Sequence, residues 1–345
     1  MGVLLGLLLF SFIINSIAFV PFINLLYKLK LQRRKQKTKD AFENPTPIFD
    51  KFHALKAGTP VGGGVLVIFS SVILFLLSFV LLYYFWIPIT TIYPNFGSEV
   101  KIILFAFIAF GALGLYDDIK KTFGTTYHNF FGLRLRHKLV LEIILAAILS
   151  FWLYTELKIS FVHLPFFGVW DLGIFYIPFA IFVIVAFTNA FNITDGLDGL
   201  ASGLLMIALI SFWVISRSIL DTAISNFIAI WLGGLIAFLY FNIYPARLFL
   251  GDVGSLSFGA TLAVIGLLLG KVFSLLIIGG FFVAEVTSSL IQLISKKYTG
   301  KRIFHVAPLH LWLQSKGWPE GKVVMRAWLI GVLFSIFGLW LAFIK

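Results

Sequence analysis

The sequence predicts an all-α, polytopic membrane protein with ten transmembrane helices and both termini outside. Three observations predict it. The 345-residue chain is 60% hydrophobic and only 12% charged, with a mean hydropathy of +1.01, a composition that soluble globular domains do not reach. Apolar segments long enough to span a bilayer recur along the whole chain. Basic residues gather in alternate loops. There is no cysteine, which excludes disulfides, a thiolate nucleophile and a Cys-ligated metal. A net charge of +12 would suit nucleic acid in a soluble protein. In a membrane chain it indicates basic cytoplasmic loops facing anionic headgroups or anionic substrates, and no nucleic-acid partner is expected.

The ten apolar segments run roughly over residues 2–27, 61–86, 100–116, 138–156, 173–193, 199–217, 227–244, 254–271, 273–295 and 326–344. The first has no charged leading region and no small-residue cleavage site, so it reads as a retained anchor rather than a signal peptide. Segments 100–116 and 254–271 are short, and little more than Lys271 separates 254–271 from 273–295. No repeat of fixed period and no long polar region is visible, so residues 1–345 read as one integral membrane domain. Residues 28–60 hold nine Lys/Arg, 117–138 five, 245–253 one and 296–326 seven, together 22 of the 27. Lys101, Lys158, Arg217, Lys271 and Lys345 make up the other set. The positive-inside rule therefore places the first set in the cytoplasm.

Against this apolar background the stretch FTNAFNITDGLDGLASG (187–203) stands out. Asn189, Asn192, Asp195 and Asp198 gather at the end of an apolar segment, where ionisable groups are costly and by default functional. Asn192, Asp195 and Asp198 are spaced by three, so they would neighbour one another on a helix end. Gly196 and Gly199 argue that the helix breaks there into a polar turn. The plain structural alternative is a short loop with solvated acids. Asp117 and Asp118 open the second cytoplasmic loop, and Asp252 lies in another. Five carboxylates from three loops thus emerge at one membrane face. Such a cluster repels itself unless a cation or protons intervene. All-oxygen donors favour Mg²⁺, with Mn²⁺ as a substitute, over Zn²⁺. Mg²⁺ commonly takes one or two carboxylates and completes its shell with water and phosphate.

The cations nearby suit phosphate. Lys120 and Lys121 follow the first Asp pair and Lys138 opens the next helix; as a structural alternative, all three are topogenic charge. LFLGDVGSLS (248–257) places Asp252 between two glycines just ahead of a helix, where a backbone and an anion can approach closely. KAGTPVGGGVLV (56–67) reads at Gly63 and Gly64 as close helix packing through small residues, with a flexible edge of a site as the alternative. The last cytoplasmic loop, 296–322, carries basic residues with His305, His310, Trp312 and Trp318, a mixture that suits an interface or a lipid phosphate. His310 follows Pro308 in a loop that would point at the acids; the structural alternative is an incidental loop histidine. Glu285 lies well inside the ninth segment. Protonation, a hydrogen bond to a neighbouring helix, and the lining of a groove are all open for it.

DDIKK (117–121), NAFNITDGLDGLASG (189–203), FLGDVGSLS (249–257) and APLHLWLQSKGWPE (307–320) resemble the polyprenyl-phosphate N-acetylhexosamine-1-phosphate transferases. Within that superfamily the chain is most similar to the MraY branch, the phospho-N-acetylmuramoyl-pentapeptide transferases, and the similarity covers nearly its whole length. The resemblance implies transfer of phospho-MurNAc-pentapeptide from UDP-MurNAc-pentapeptide to undecaprenyl phosphate, giving lipid I and UMP with Mg²⁺, at the cytoplasmic face of a bacterial inner membrane. The active site would be formed by loops 117–138, 189–203, 245–257 and 296–325. Matched motif by motif, Asp117, Asp118, Asp252 and His310 take catalytic positions, with Asp252 and Asp118 at the metal. Asn189, Asn192, Asp195 and Asp198 belong to the nucleotide pocket, Phe249 to the uracil, Lys121 and Lys138 to the basic residues of the pocket, and Gln292 to its rim. Membrane lipids are further partners, and a homodimer is left open.

Two stretches depart from the family pattern. Only His310 stands where the family usually has three consecutive histidines, followed here by Leu311 and Trp312. TPVGGG (59–64) replaces the usual TPTMGG. Both touch the substrate rim, so a sister transferase using UDP-GlcNAc is the nearest alternative. An ion-coupled transporter, the alternative from another class, predicts acids at the bilayer midplane and symmetric halves.

Overall fold

A computed structural model describes residues 1–32, 56–123 and 133–344. Most of the basic residues of loop 28–60 and the centre of loop 117–138 lie outside these. The helices are α1 (Gly2–Lys28), α2 (Gly63–Tyr84), α3 (Phe96–Phe123), α4 (Leu135–Thr155), α5 (Tyr176–Thr194), α6 (Leu200–Ser218), α7 (Thr222–Asn242), α8 (Gly251–Leu268), α9 (Val272–Ile278), α10 (Gly280–Thr299), α11 (Leu309–Ser315) and α12 (Glu320–Phe343). Among the described residues nine helices are long and apolar enough to cross a membrane. They become ten if α9 and α10, bent by 79° at their junction, form one span. The chain is a polytopic helical membrane protein, as its composition predicts.

Three boundaries differ from the sequence expectation, and two of the differences move charged residues. Helix α3 runs past the apolar segment to Phe123, so Asp117, Asp118 and Lys121 stand on a helix rather than in a loop. Helix α8 begins at Gly251, which puts Asp252 in its first turn. The ninth segment is not one helix but two, broken at the Gly279–Gly280 pair, a common site for a sharp kink. Between α4 and α5 lies an antiparallel hairpin of β1 (Phe161–Leu164) and β2 (Gly168–Asp171), paired from Phe161↔Asp171 to Leu164↔Gly168. Four-residue strands leave too short an alternation to read from sequence.

Helix α8 is the centre of the bundle and is almost wholly buried, while α1 and α4 keep most of their surface outward. It packs chiefly against α3 and α5, with α2 on a third side. Lipid tails are as apolar as leucine, so helices associate through close packing and interhelical hydrogen bonds. Both devices are present. A Cβ on Gly64 would lie 2.4 Å from the Gly254 Cα, so α2 and α8 cross backbone to backbone, the small-residue packing expected of TPVGGG. The Phe107 ring of α3 meets Phe227 at 5.1 Å, Trp231 at 5.1 Å and Phe258 at 5.6 Å. Buried Asn15 accepts from the Ser70 hydroxyl at 2.7 Å and donates to the Ser11 carbonyl at 2.9 Å, tying α1 to α2.

Candidate active site

At one end of the bundle the last turns of α3, the first turn of α4 and the first turn of α8 bring four charged side chains together. Lys121 Nζ lies 2.6 Å and Lys138 Nζ 2.7 Å from the same oxygen, Asp252 Oδ2. Lys121 also sits 3.0 Å from Asp117 Oδ2, one helical turn back, and Lys138 is 3.5 Å from that oxygen. The other Asp117 oxygen accepts from the Leu133 N–H at 2.6 Å. Residues 121 and 252 are 131 positions apart in sequence. Lys120, one residue away, is exposed and lies 5.8 Å from the Tyr116 ring instead.

Asp118 plays a different part. Its Oδ2 accepts from the Val253 N–H at 3.0 Å, supplying from α3 the cap that α8 lacks in its own sequence. Its Oδ1 is buried and has no hydrogen-bond partner among the described residues. Two glycines make this approach possible. A Cβ on Gly114 would lie 2.1 Å from the Asp252 carbonyl oxygen, and one on Gly251, whose φ is +81°, would lie 2.6 Å from Asp118 Oδ2.

The turn between α5 and α6 borders this cluster. Helix α5 ends at Thr194, and Gly199 takes a left-handed φ of +77° before α6 begins, so the break predicted at Gly196 and Gly199 is there. Asn192 Nδ2 donates to Ser255 Oγ of α8 at 3.2 Å. Asp195 is half-buried, and its carboxyl is pushed up to about 7 by desolvation first, then by the charges of Asp252 and Asp118, against an opposing pull from Lys56. Asp198 is fully engaged: Lys56 Nζ lies 2.7 Å from Oδ1, and the Ala246 N–H donates to Oδ2 at 2.9 Å. Lys56 Nζ is also 2.6 Å from Glu320 Oε1, which accepts from the Asp198 N–H at 2.7 Å. Asn189 donates to Glu142 Oε2 at 2.5 Å and to the Val185 carbonyl at 3.0 Å. Phe249 is half-buried, and its backbone bridges Pro60 and Gly63 at 2.9 Å each.

In the last loop Gln292 binds both backbone groups of Phe304 at 2.9 Å, so its amide fastens the loop to α10. His310 is buried and paired with Glu285: Nδ1 lies 3.0 Å from Oε2. His305 is exposed.

The structure therefore gathers Asp117, Asp118, Lys121, Lys138 and Asp252 into one cluster, with Asn192 bonded to α8 beside it and Asp195 within its field. Asn189, Asp198 and Gln292 are committed to neighbours within the protein. Lys56, Glu142 and Glu320 were not singled out from sequence. Each is an ordinary charged residue until its partner is known, and those partners lie far away in the chain.

The donors present fit a hard divalent cation. Asp118 Oδ1 is a buried carboxylate oxygen without a hydrogen-bond partner among the described residues, and the charges of Asp252 and Lys121 both act on its carboxyl; carboxylate oxygens are the donors a hard cation takes. Among the described residues no group of three or more His, Asp or Glu side chains that could hold a metal ion is present.

Residues 100–270, which contain this cluster and the 195–199 turn, match the glycosyl transferase family 4 model. Over its length the chain is similar to proteins named phospho-N-acetylmuramoyl-pentapeptide-transferase. That of Clostridium novyi is 35% identical over 98% of this chain and 96% of the relative. That of Levilactobacillus brevis is 37% identical over the whole of both. That of Rickettsia canadensis is 40% identical over 83% of this chain and 80% of its own. Identity of that extent spans every element that builds the site, and the chain belongs to the phospho-N-acetylmuramoyl-pentapeptide-transferase family.

Proposed function

We propose that the protein transfers phospho-MurNAc-pentapeptide from UDP-MurNAc-pentapeptide to undecaprenyl phosphate, giving lipid I and UMP, as a single membrane domain of a bacterial inner membrane with its site on the cytoplasmic face. The observation that carries this reading is the meeting of Asp117, Lys121, Lys138 and Asp252 at one end of the bundle, in a chain whose full-length relatives bear that name.

The chemistry follows from the charges. An oxygen of the lipid phosphate attacks the β-phosphorus of the nucleotide sugar, and the bond to UMP breaks. Catalysis of phosphoryl transfer is mainly positioning and charge stabilisation. Lys121 and Lys138 bind the diphosphate and offset the charge that develops as UMP leaves. Asp117 orients the incoming lipid phosphate. A phosphate monoester has a second pKa of about 6, so it is largely ionised at neutral pH without a strong base. Asp252 and Asp118 would hold Mg²⁺, or Mn²⁺ in its place, which supplies neutralisation and polarisation of the diphosphate when bound. Phe249 serves the uracil, with Asn192, Asp195 and Asp198 shaping the nucleotide pocket. Asn189 and Gln292 act from its edge, through Glu142 and the Phe304 backbone. His310 stands beside the turn that carries Asp195.

One observation favours a second donor. Leu311 and Trp312 follow His310 where the family has further histidines, and Val61 stands at the α2 rim. A sister activity on UDP-GlcNAc is the second reading. A competition assay separates the two: purified protein with undecaprenyl phosphate receives both nucleotide sugars, each with its own label. Label from UDP-MurNAc-pentapeptide is expected in the lipid. Label from UDP-GlcNAc alone would replace the first reading with the second.

A further inference from the structure

We infer that Glu285 is a positioning residue of this site, holding the His310 ring with Nδ1 protonated and Nε2 presented as an acceptor beneath the turn that carries Asp195. The inference rests on the proposed transfer for its kinetic consequence but not for its geometry. Glu285 sits on α10 inside an apolar helix and is 0% exposed. A carboxylate in such a place needs hydrogen-bond donors. His310, at the start of α11, supplies two. Its backbone N–H donates to Oε1 at 3.1 Å, and its ring Nδ1 lies 3.0 Å from Oε2.

A carboxylate can only accept, so Nδ1 carries the proton in this pair. The lone pair of a neutral ring is then on Nε2. His310 is 1% exposed, and Nε2 is buried without a hydrogen-bond partner among the described residues. It faces Gly196, where a Cβ would lie 2.5 Å away. Only glycine lets the 195–198 turn pass so close over the imidazole. Three elements are thereby linked in series: α10 through Glu285, α11 through His310, and the turn through Gly196. The carboxylate fixes the ring's tautomer and rotation, and the ring supports the turn from below. Nε2 is covered by the turn, so the ring acts on the site through the 195–198 backbone and not by touching the nucleotide sugar.

Glu285→Gln tests this with little change of shape. A glutamine carbonyl still accepts the His310 N–H, but its amide donates to Nδ1 and moves the ring proton to Nε2, turning the acceptor into a donor. UMP release from UDP-MurNAc-pentapeptide is expected to fall about 10- to 100-fold in kcat, the scale on which such supporting partners act. In a His310→Ala background the same substitution is expected to cost nothing further, since its effect passes through the ring. Wild-type kinetics in Glu285→Gln, or an equal loss in both backgrounds, would overturn the inference. The geometry has its own readout, independent of turnover. In ¹⁵N-histidine-labelled wild-type protein in bilayers, the ring signal missing from His310→Asn should be protonated at Nδ1 alone. An Nε2-protonated ring there would refute the pair even if the transfer assay succeeds. A silent transfer assay beside an Nδ1-protonated ring would leave the pair standing and remove the proposed function.

Discussion

Two ammonium groups reach one oxygen of Asp252; the acids could be singled out from sequence because they are costly at the ends of apolar segments, whereas the lysines read equally well as topogenic charge. Asp195 shows what the sequence withholds. Its spacing marks it as part of a polar turn, but its titration depends first on burial and then on the charges of Asp252 and Asp118, all of which only the fold supplies. With its carboxyl pushed up to about 7, the folded protein binds a proton there that the unfolded chain, near the usual carboxylate value, has released. Ionising Asp195 therefore costs stability progressively from about pH 4 to about pH 7. Asp195→Asn removes that cost, so thermal denaturation should show a larger gain in midpoint at pH 8 than at pH 5. An equal gain at both would show that Asp195 titrates normally. Lys56 was hidden for a related reason: its partner Glu320 lies 264 residues away. Removing the ammonium from between Asp198 and Glu320 leaves two buried acids uncompensated. Lys56→Ala should lower stability by about 3 kcal/mol, the scale for breaking a buried pair, and an unchanged denaturation midpoint would deny the network that role.

The crossing of α3 and α8 makes the site. Helix positions were legible because long apolar runs are the strongest signal a membrane sequence offers. Their ends were not, because α3 carries its hydrogen bonding about two turns past the apolar run, and Asp118 caps α8 from outside it. The break between α9 and α10 and the β1–β2 hairpin lay below the resolution of hydropathy for the same reason: seven- and four-residue elements have no pattern of their own. Gly114 tests the crossing directly. A methyl group there would meet the Asp252 carbonyl at 2.1 Å, so Gly114→Ala must push α8 away and separate Asp252 from Lys121. Turnover should fall about a hundredfold, as for a catalytic group misplaced by about an ångström, with helix content by circular dichroism unchanged. Full activity in that variant would show that the crossing does not set the site.

At the scale of the whole molecule, charged clusters of the described residues lie at the two ends of the bundle, with aromatic packing between them and Glu285 buried within α10. Asp117, Asp252, Asp195 and Lys56 share one end, while buried Asp221 caps α7 at the other. Carboxylates grouped at a helix end suit transfer at a membrane surface better than ion coupling at the midplane, which decides against the transport reading. The depth of α8 within the bundle could not be foretold, since an apolar helix reads alike whether lipid or protein surrounds it. On the proposed function, residues far apart in the chain form one phosphate-transfer centre around Asp252. UMP release from UDP-MurNAc-pentapeptide by purified protein with undecaprenyl phosphate and Mg²⁺ measures it. Wild-type protein should release UMP, and Asp252→Asn should do so about a hundredfold more slowly, the loss typical of a group that stabilises transition-state charge; equal rates in the two would show that Asp252 is not part of the transfer centre.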